Sequence, residues 1–210
     1  MREEAHPLAS VVAGLAMLVS GAQVRWLDCR PESRQRVYFS NHTSHLDSVV
    51  LWASLPPNLR ILTRPVAARD YWDKSSLRRF LAARVFRAVL VERPGEKNRL
   101  ASAREALDGL VEALGDRYSL ILFPEGTRGT GEVLAPFRSG LYHLAQRRTD
   151  LEFVPVYLNN LNRILPKGEV LPVPLLSTVN FGPPLRLEPE DSKLAFLDRA
   201  RAALLRLSQL

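Results

Sequence analysis

Three short apolar runs constrain this chain more than any other feature: "VYFS" at 37–40, "SLILF" at 119–123 and "LEFVPVYL" at 151–158. Each is continuously apolar rather than alternating. Runs of this length are strands buried on both faces, as in a parallel sheet covered by helices. Between them the period changes to that of helices. "KNRLASAREALDGLVEAL" (97–114) sets Leu100, Ala103, Leu107, Leu110, Val111 and Leu114 on one face and stops at Gly115. "SGLYHLAQRR" reads as a helix too, as does the closing "EDSKLAFLDRARAALLRLSQL", with Ser192 and acidic residues at its start. The alternation predicts an α/β fold, a mainly parallel, twisted sheet with helices on both faces.

The remaining stretches fill out that plan. "GAQVRWL", "LRILTR" (59–64) and "AVLVER" are strand candidates. "SHLDSVVLWASL" is a helix stopped by Pro56-Pro57. "KSSLRRFLAARVFRAV" (74–89) has Leu77, Phe80, Leu81 and Val85 at helical spacing, which predicts one buried face. At 210 residues and 46% hydrophobic, the chain can bury one sizeable core.

The start "MREEAH" is mixed in charge, unlike a cleavable signal peptide. Pro7–Val24 then carries no charge, close to the ~20 residues that span a bilayer, but diluted by Ser10, Gly14, Ser20, Gly21 and Gln23. Residues 1–24 are therefore expected to be an apolar helical segment touching the membrane surface, and 25–210 the catalytic domain. A single cysteine, Cys29, excludes an intramolecular disulfide framework and fits a reducing, cytoplasmic setting. Net charge is +7, and all but four of the 29 basic residues are arginine. Arginine forks onto phosphate, so the expected partners are anionic: nucleic acid, a membrane surface or a phosphorylated substrate.

Polar chemistry collects in "SNHTSHLD" (40–47) and "FPEGTR" (123–128), each beginning where a predicted strand ends. Open α/β sheets bind ligands beyond the carboxyl ends of their strands, so the two clusters are candidates for one pocket. On a straight helix His42 and Asp47 would point about 140° apart. They meet only if His42 precedes the helix and Asp47 lies in its first turn, with Asn41 or Ser44 capping the start. A carboxylate on one imidazole nitrogen leaves the other free as a general base. No Gly-Xaa-Ser-Xaa-Gly is present and Cys29 has no base beside it in sequence, so the base serves a hydroxyl or water brought by the substrate. No His-Glu-Xaa-Xaa-His supports a metal at His42, His45 and Asp47, and neither metal nor bound cofactor is expected. In the second cluster Gly126 allows a tight turn and Arg128 supplies a phosphate fork.

"NHTSHLD" resembles the Asn-His-Xaa-Ser-Xaa-Xaa-Asp signature of the glycerolipid acyltransferases, the lysophosphatidate acyltransferase family. "FPEGTR" is similar to the second diagnostic motif of that family. "LVER", closing on Arg93, resembles the motif between them, and "FVPVYL", with Pro155, the fourth. The likeness covers roughly residues 20–185. It implies transfer of a fatty acyl chain from acyl-coenzyme A or acyl carrier protein to a lysophospholipid hydroxyl, most closely 1-acyl-glycerol-3-phosphate. His42 would be the base and Asp47 its orienting partner. Arg93 and Arg128 would bind the acceptor phosphate, with Asn41, Ser44, Glu125, Gly126 and Thr127 completing the substrate site. It also implies peripheral or monotopic attachment to the cytoplasmic face of an anionic membrane, and no nucleic-acid partner. The middle motif of the family carries a lysine near its start, where this chain has Ala68 and Arg69, and Gly129 stands where serine is common. The rival readings are a lipid or thioester hydrolase with the same His–Asp pair and a non-enzymatic module binding anionic membranes.

Overall fold

The computed structural model describes residues 6–92, 99–131, 133–164 and 176–210. Among these, seven strands form one sheet in the order β1-β7-β6-β2-β5-β3-β4. The strands are β1 (Ala22–Trp26), β2 (Arg36–Ser40), β3 (Thr63–Ala68), β4 (Val89–Val91), β5 (Ser119–Leu122), β6 (Glu152–Asn159) and β7 (Ser177–Phe181). All neighbours run parallel except β6 and β7. The expected mainly parallel sheet is therefore present, with one reversal that turns β7 and β1 against the rest.

Strand periodicity divides the core. Along β2, Tyr38 faces one side, with Val50, Leu51 and Trp52 of α2 (Asp47–Ser54), Ala9 and Ala13 of α1 (Leu8–Ser20) and Leu161 of α8 (Leu161–Ile164). Val37 and Phe39 face the other side, with Leu114 of α6 (Arg99–Leu114), Leu144 of α7 (Gly140–Arg147) and Phe196 and Leu204 of α9 (Lys193–Leu207). Side chains alternate across a strand, so a fully apolar run needs a layer on each face, and the helices supply both. Ser192 caps α9 as expected, its hydroxyl accepting the Ala195 N–H at 3.1 Å.

Three expectations need correction. The stretch 59–64 is not a strand throughout: α3 (Pro57–Arg60) comes first, with Pro57 in its first turn. The strand starts at Thr63 and changes partner at its proline, pairing with β5 through Pro65 and with β4 from Val66. The helix over 74–89 is not uniform. After α4 (Arg69–Trp72), α5 (Ser76–Phe80) passes into a π-helical turn at Leu81–Phe86. The wider turn shifts the buried face to Ala82, Val85 and Phe86 and leaves Leu77 66% and Phe80 40% exposed. Finally, the N-terminal helix stops at Ser20, where Gly21 takes a left-handed φ of 52°. Ala22–Val24 then belong to β1, so the expected boundary between residues 24 and 25 falls inside the sheet.

Among the described residues no helix is long and apolar enough to cross a membrane. Instead α1 docks on the domain through Ala9 and Ala13 and turns Val11, Leu15 and Leu18 outward, 55%, 56% and 78% exposed.

Candidate active site

β2 and β5 are parallel neighbours, with Phe39 opposite Leu122. The chain leaves both at the same edge of the sheet, so "NHTSHLD" and "FPEGTR" converge although far apart in sequence. The turn after β2 carries His42, and Asp47 is the first residue of α2. His42 Nδ1 lies 2.9 Å from Asp47 Oδ2, the geometry that the spacing required. The same Oδ2 accepts the amides of Thr43 (2.6 Å) and Ser44 (2.8 Å). With three groups converging on one oxygen of a fully buried side chain, that oxygen is the acceptor and Nδ1–H the donor. Nε2 is then the basic nitrogen, and it has no partner among the described residues. Phe123 stacks on the imidazole at 4.3 Å between centroids and 25° between planes, fixing the ring from a second side.

The loop after β5 is tied to this turn through its carboxylate. Glu125 is 5% exposed. Its Oε1 accepts the His42 N–H at 2.8 Å and its Oε2 the Ala135 N–H at 3.0 Å. The Gly129 N–H donates to the His42 carbonyl at 2.8 Å. Glu125 thus staples the two motifs together, with both its oxygens held by backbone. Gly126 has φ 72°, a left-handed conformation that favours glycine, and a Cβ there would lie 2.4 Å from Arg138 Nε and push that side chain aside. Thr127 is exposed and Arg128 half-buried. Arg128 has no hydrogen-bond or ion-pair partner among the described residues.

Asn41 and Ser44 sit behind the pair. The Asn41 side-chain amide donates to the Leu158 carbonyl at 2.9 Å, and its oxygen accepts the Leu158 N–H at 2.8 Å, clamping the turn to β6. Ser44 is buried, and its hydroxyl oxygen accepts the Leu46 N–H at 3.3 Å. Neither caps α2, whose start has no side-chain cap. For Asn41 to reach a substrate these bonds would have to break. Arg93 lies outside the described residues. Arg69 pairs with Glu92 at 3.8 Å.

Cys29 follows β1, which runs against β2, and so belongs to the opposite edge of the sheet. Its thiol donates to the Phe181 carbonyl at 3.5 Å, and burial pushes its pKa up. A cleft of about 520 Å3 at that edge is lined by Cys29, Arg34, Arg36 and Glu152, and its charges pair with one another. No group of three metal-binding side chains occurs among the described residues.

Two contacts had no warning in the sequence. The exposed His45 stacks on Tyr71 at 4.8 Å and 20°, and the Arg78 guanidinium lies over Tyr71 at 4.5 Å. Aromatic and basic residues in a helical stretch carry no signal of what they face.

Residues 22–159, which hold both clusters and the strands presenting them, match the acyltransferase family model. The chain belongs to the acyltransferase family. It is 30% identical over 182 residues to the 1-acyl-sn-glycerol-3-phosphate acyltransferase of Limnanthes douglasii, covering 85% of this chain and 60% of that one. It is 28% identical over 187 residues to the alpha enzyme of the same name from Homo sapiens, covering 87% and 62%. The chain thus spans about three fifths of the length of these relatives. Among solved structures, the 1-acyl-sn-glycerophosphate acyltransferase PlsC from Thermotoga maritima aligns with a TM-score of 0.73 over 96% of this chain and 79% of that one. At 16% identity, that likeness shows a shared acyltransferase fold.

Proposed function

We propose that this acyltransferase-family chain moves a fatty acyl group from an acyl thioester to the free hydroxyl of a lysophospholipid, with 1-acyl-glycerol-3-phosphate as acceptor and phosphatidate as product. The observation that carries the reading is the His42–Asp47 pair at 2.9 Å, bonded through the His42 carbonyl to the amide of Gly129, the residue after Arg128, with Cys29 at the far edge of the sheet. The names of the relatives support the acceptor.

His42 Nε2 takes the acceptor hydroxyl proton as its oxygen attacks the thioester carbonyl. The carbonyl π pair moves to oxygen, giving a tetrahedral oxyanion. The C–S bond then breaks, and the imidazolium returns the proton to the departing thiolate. Asp47 holds the ring through Nδ1. The oxyanion needs donors that are not already committed. The Thr43 and Ser44 amides serve Asp47, that of His42 serves Glu125, and that of Gly129 serves the His42 carbonyl, so none of these four is free for it.

Thiol release from acyl-coenzyme A, measured with and without lysophosphatidate, tests the reading, and acyl carrier protein is the second donor to try. Release that requires the acceptor is expected. Release without any acceptor would make the chain a hydrolase. No release with either donor would leave the membrane-binding module as the better account. Arg128→Gln in the same assay is expected to raise the acceptor KM by about tenfold or more, the loss of one charge-assisted phosphate contact. An unchanged kcat/KM would remove Arg128 from the phosphate site.

The outer face of α1 supports the second half of the proposal, peripheral attachment to the cytoplasmic face of a membrane. Leu15 and Leu18 project outward from the described residues, and Leu77 and Phe80 are exposed on α5; His6, just before α1, meets the Phe80 ring at 5.6 Å. Fully burying such a side chain is worth about 1.5–3 kcal/mol. Leu15→Glu with Leu18→Glu is therefore expected to cut co-sedimentation with anionic vesicles by at least about tenfold, at an unchanged melting temperature. Unchanged co-sedimentation would make α1 a core-covering helix only.

A further inference from the structure

His45 lies within the first motif, yet acyl transfer as derived above leaves it without a task. Its imidazole is exposed, has no hydrogen-bond partner among the described residues, and is nonetheless held in place. The hold is a ladder of rings. His45 stacks on Tyr71 at 4.8 Å; Tyr71 meets Trp72 at 5.7 Å; Trp72 meets Phe86 at 5.7 Å; Phe86 meets Trp52, 2% exposed in the core, at 5.0 Å. An exposed polar ring anchored this way loses little further freedom on binding, which favours a ligand contact over a loose surface group.

The charges around that ring are one-sided. Arg78 is seated over Tyr71 and donates from Nη1 to the Tyr71 carbonyl at 3.5 Å. Ser75 caps the start of its short helix, accepting the Arg78 N–H at 3.2 Å. Among the described residues neither Arg78 nor Arg128 pairs with a carboxylate. Burial first, then the charges of Arg128, His42 and Arg78, push the His45 pKa below its ordinary value against the opposing pull of Asp47. Asp47, the one carboxylate among those influences, is already bonded to His42 and two amides. The ring thus feels two guanidiniums that pair with no carboxylate among the described residues, one of them, Arg78, seated on the same Tyr71 ring as His45. The missing complement is a compact anion with several acceptor oxygens.

We infer that His45, together with Arg128 and Arg78, forms a binding site for a phosphate monoester at the mouth of the pocket. His45 is the central ligand and Tyr71 its platform. The inference deepens the proposed function. It adds His45 and Arg78 to Arg128 as contacts for phosphate, whereas Arg69 turns to Glu92. Two substrates carry such a group: the acceptor, on its glycerol headgroup, and a coenzyme A donor, on its ribose.

The test reads the His45 ring directly. In the full chain, the ring resonance of His45, assigned by its loss in His45→Gln, is followed during titration with inorganic phosphate, sn-glycerol 3-phosphate and coenzyme A. A saturable shift with inorganic phosphate is expected, together with a rise in the pKa of the ring, since a bound dianion stabilises the imidazolium. Arg78→Gln and Arg128→Gln are each expected to weaken that response about tenfold. The same shift with glycerol 3-phosphate assigns the site to the acceptor, and with coenzyme A alone to the donor. No movement with any of the three overturns the inference, as does a response that both arginine variants leave unaltered. No turnover is needed, so this result stands apart from success or failure of the acyl-transfer assay. In turnover, His45→Gln is expected to raise the KM of the assigned substrate by about tenfold with kcat within about twofold. A fall in kcat at constant KM would instead give His45 a structural role in holding Asp47.

Discussion

Replacing His42 by alanine is expected to lower kcat by about 10²–10⁴-fold, the span of general acid–base catalysis. Removing the ring takes away Nε2, the nitrogen placed to accept the hydroxyl proton. The fold should not register the loss. The side chain is 24% exposed and packs on Phe123, while the two hydrogen bonds that tie the turn to the second motif, from His42 N–H to Glu125 and from Gly129 N–H to the His42 carbonyl, belong to backbone. The melting temperature should therefore move by only a few degrees. Kinetics of acceptor-dependent thiol release and a thermal melt on the same preparation check both halves. Activity within about tenfold of wild type would remove His42 as the base, and a collapsed melt would show that the ring is needed for the turn.

Asp47→Asn should lower kcat on a similar scale, about 10²–10⁴-fold, for a different reason. The asparagine oxygen can occupy the Oδ2 position and accept the same three donors, His42 Nδ1 and the amides of Thr43 and Ser44. The three bonds that hold the turn are then kept, at the cost of placing the asparagine NH2 where Oδ1 is buried without a partner, a smaller loss of stability than that of the alanine variant, and the negative charge that stabilises the imidazolium during proton transfer is gone. Asp47→Ala is the contrasting variant. It leaves two buried backbone amides and a ring N–H without an acceptor, at about 1–3 kcal/mol for each buried group. The alanine variant should lose both stability and activity, and the asparagine variant chiefly activity. Equal loss of melting temperature in both would mean that the Asp47 charge serves the fold; full activity in Asp47→Asn would mean that orientation alone is enough.

Much of this architecture was legible because it depends on local period. "VYFS", "SLILF" and "LEFVPVYL" identify β2, β5 and β6, since a strand buried on both faces has no polar side to show. The amphipathic stretches give α6, α7 and α9, and Ser192 marks the start of the last. Where the period is short or interrupted, the reading drifts. Pro57 began a helical turn inside an apparent strand, and the π-helical turn at Leu81–Phe86 broke the register between the exposed Leu77 and Phe80 and the buried Val85 and Phe86 that follow. A turn with one added residue shifts every later side chain on its helix, and no residue type announces it.

The sequence by itself determined which residues are candidates for the chemistry. It also determined that two motifs leave strand ends and that His42 must stand before a helix whose first turn carries Asp47, because these follow from order and spacing along the chain. Only the tertiary structure decided what each neighbour does. Glu125 and Asn41, expected at the substrate, bond to the backbone of His42, Ala135 and Leu158. Every residue but proline carries the same amide, so such partners leave no trace in composition or motif. His45, in the turn before α2, Tyr71 of α4 and Arg78 of α5 meet only in the folded chain. Placing a charge beside an aromatic face across such a distance is the work of packing, which no local pattern encodes.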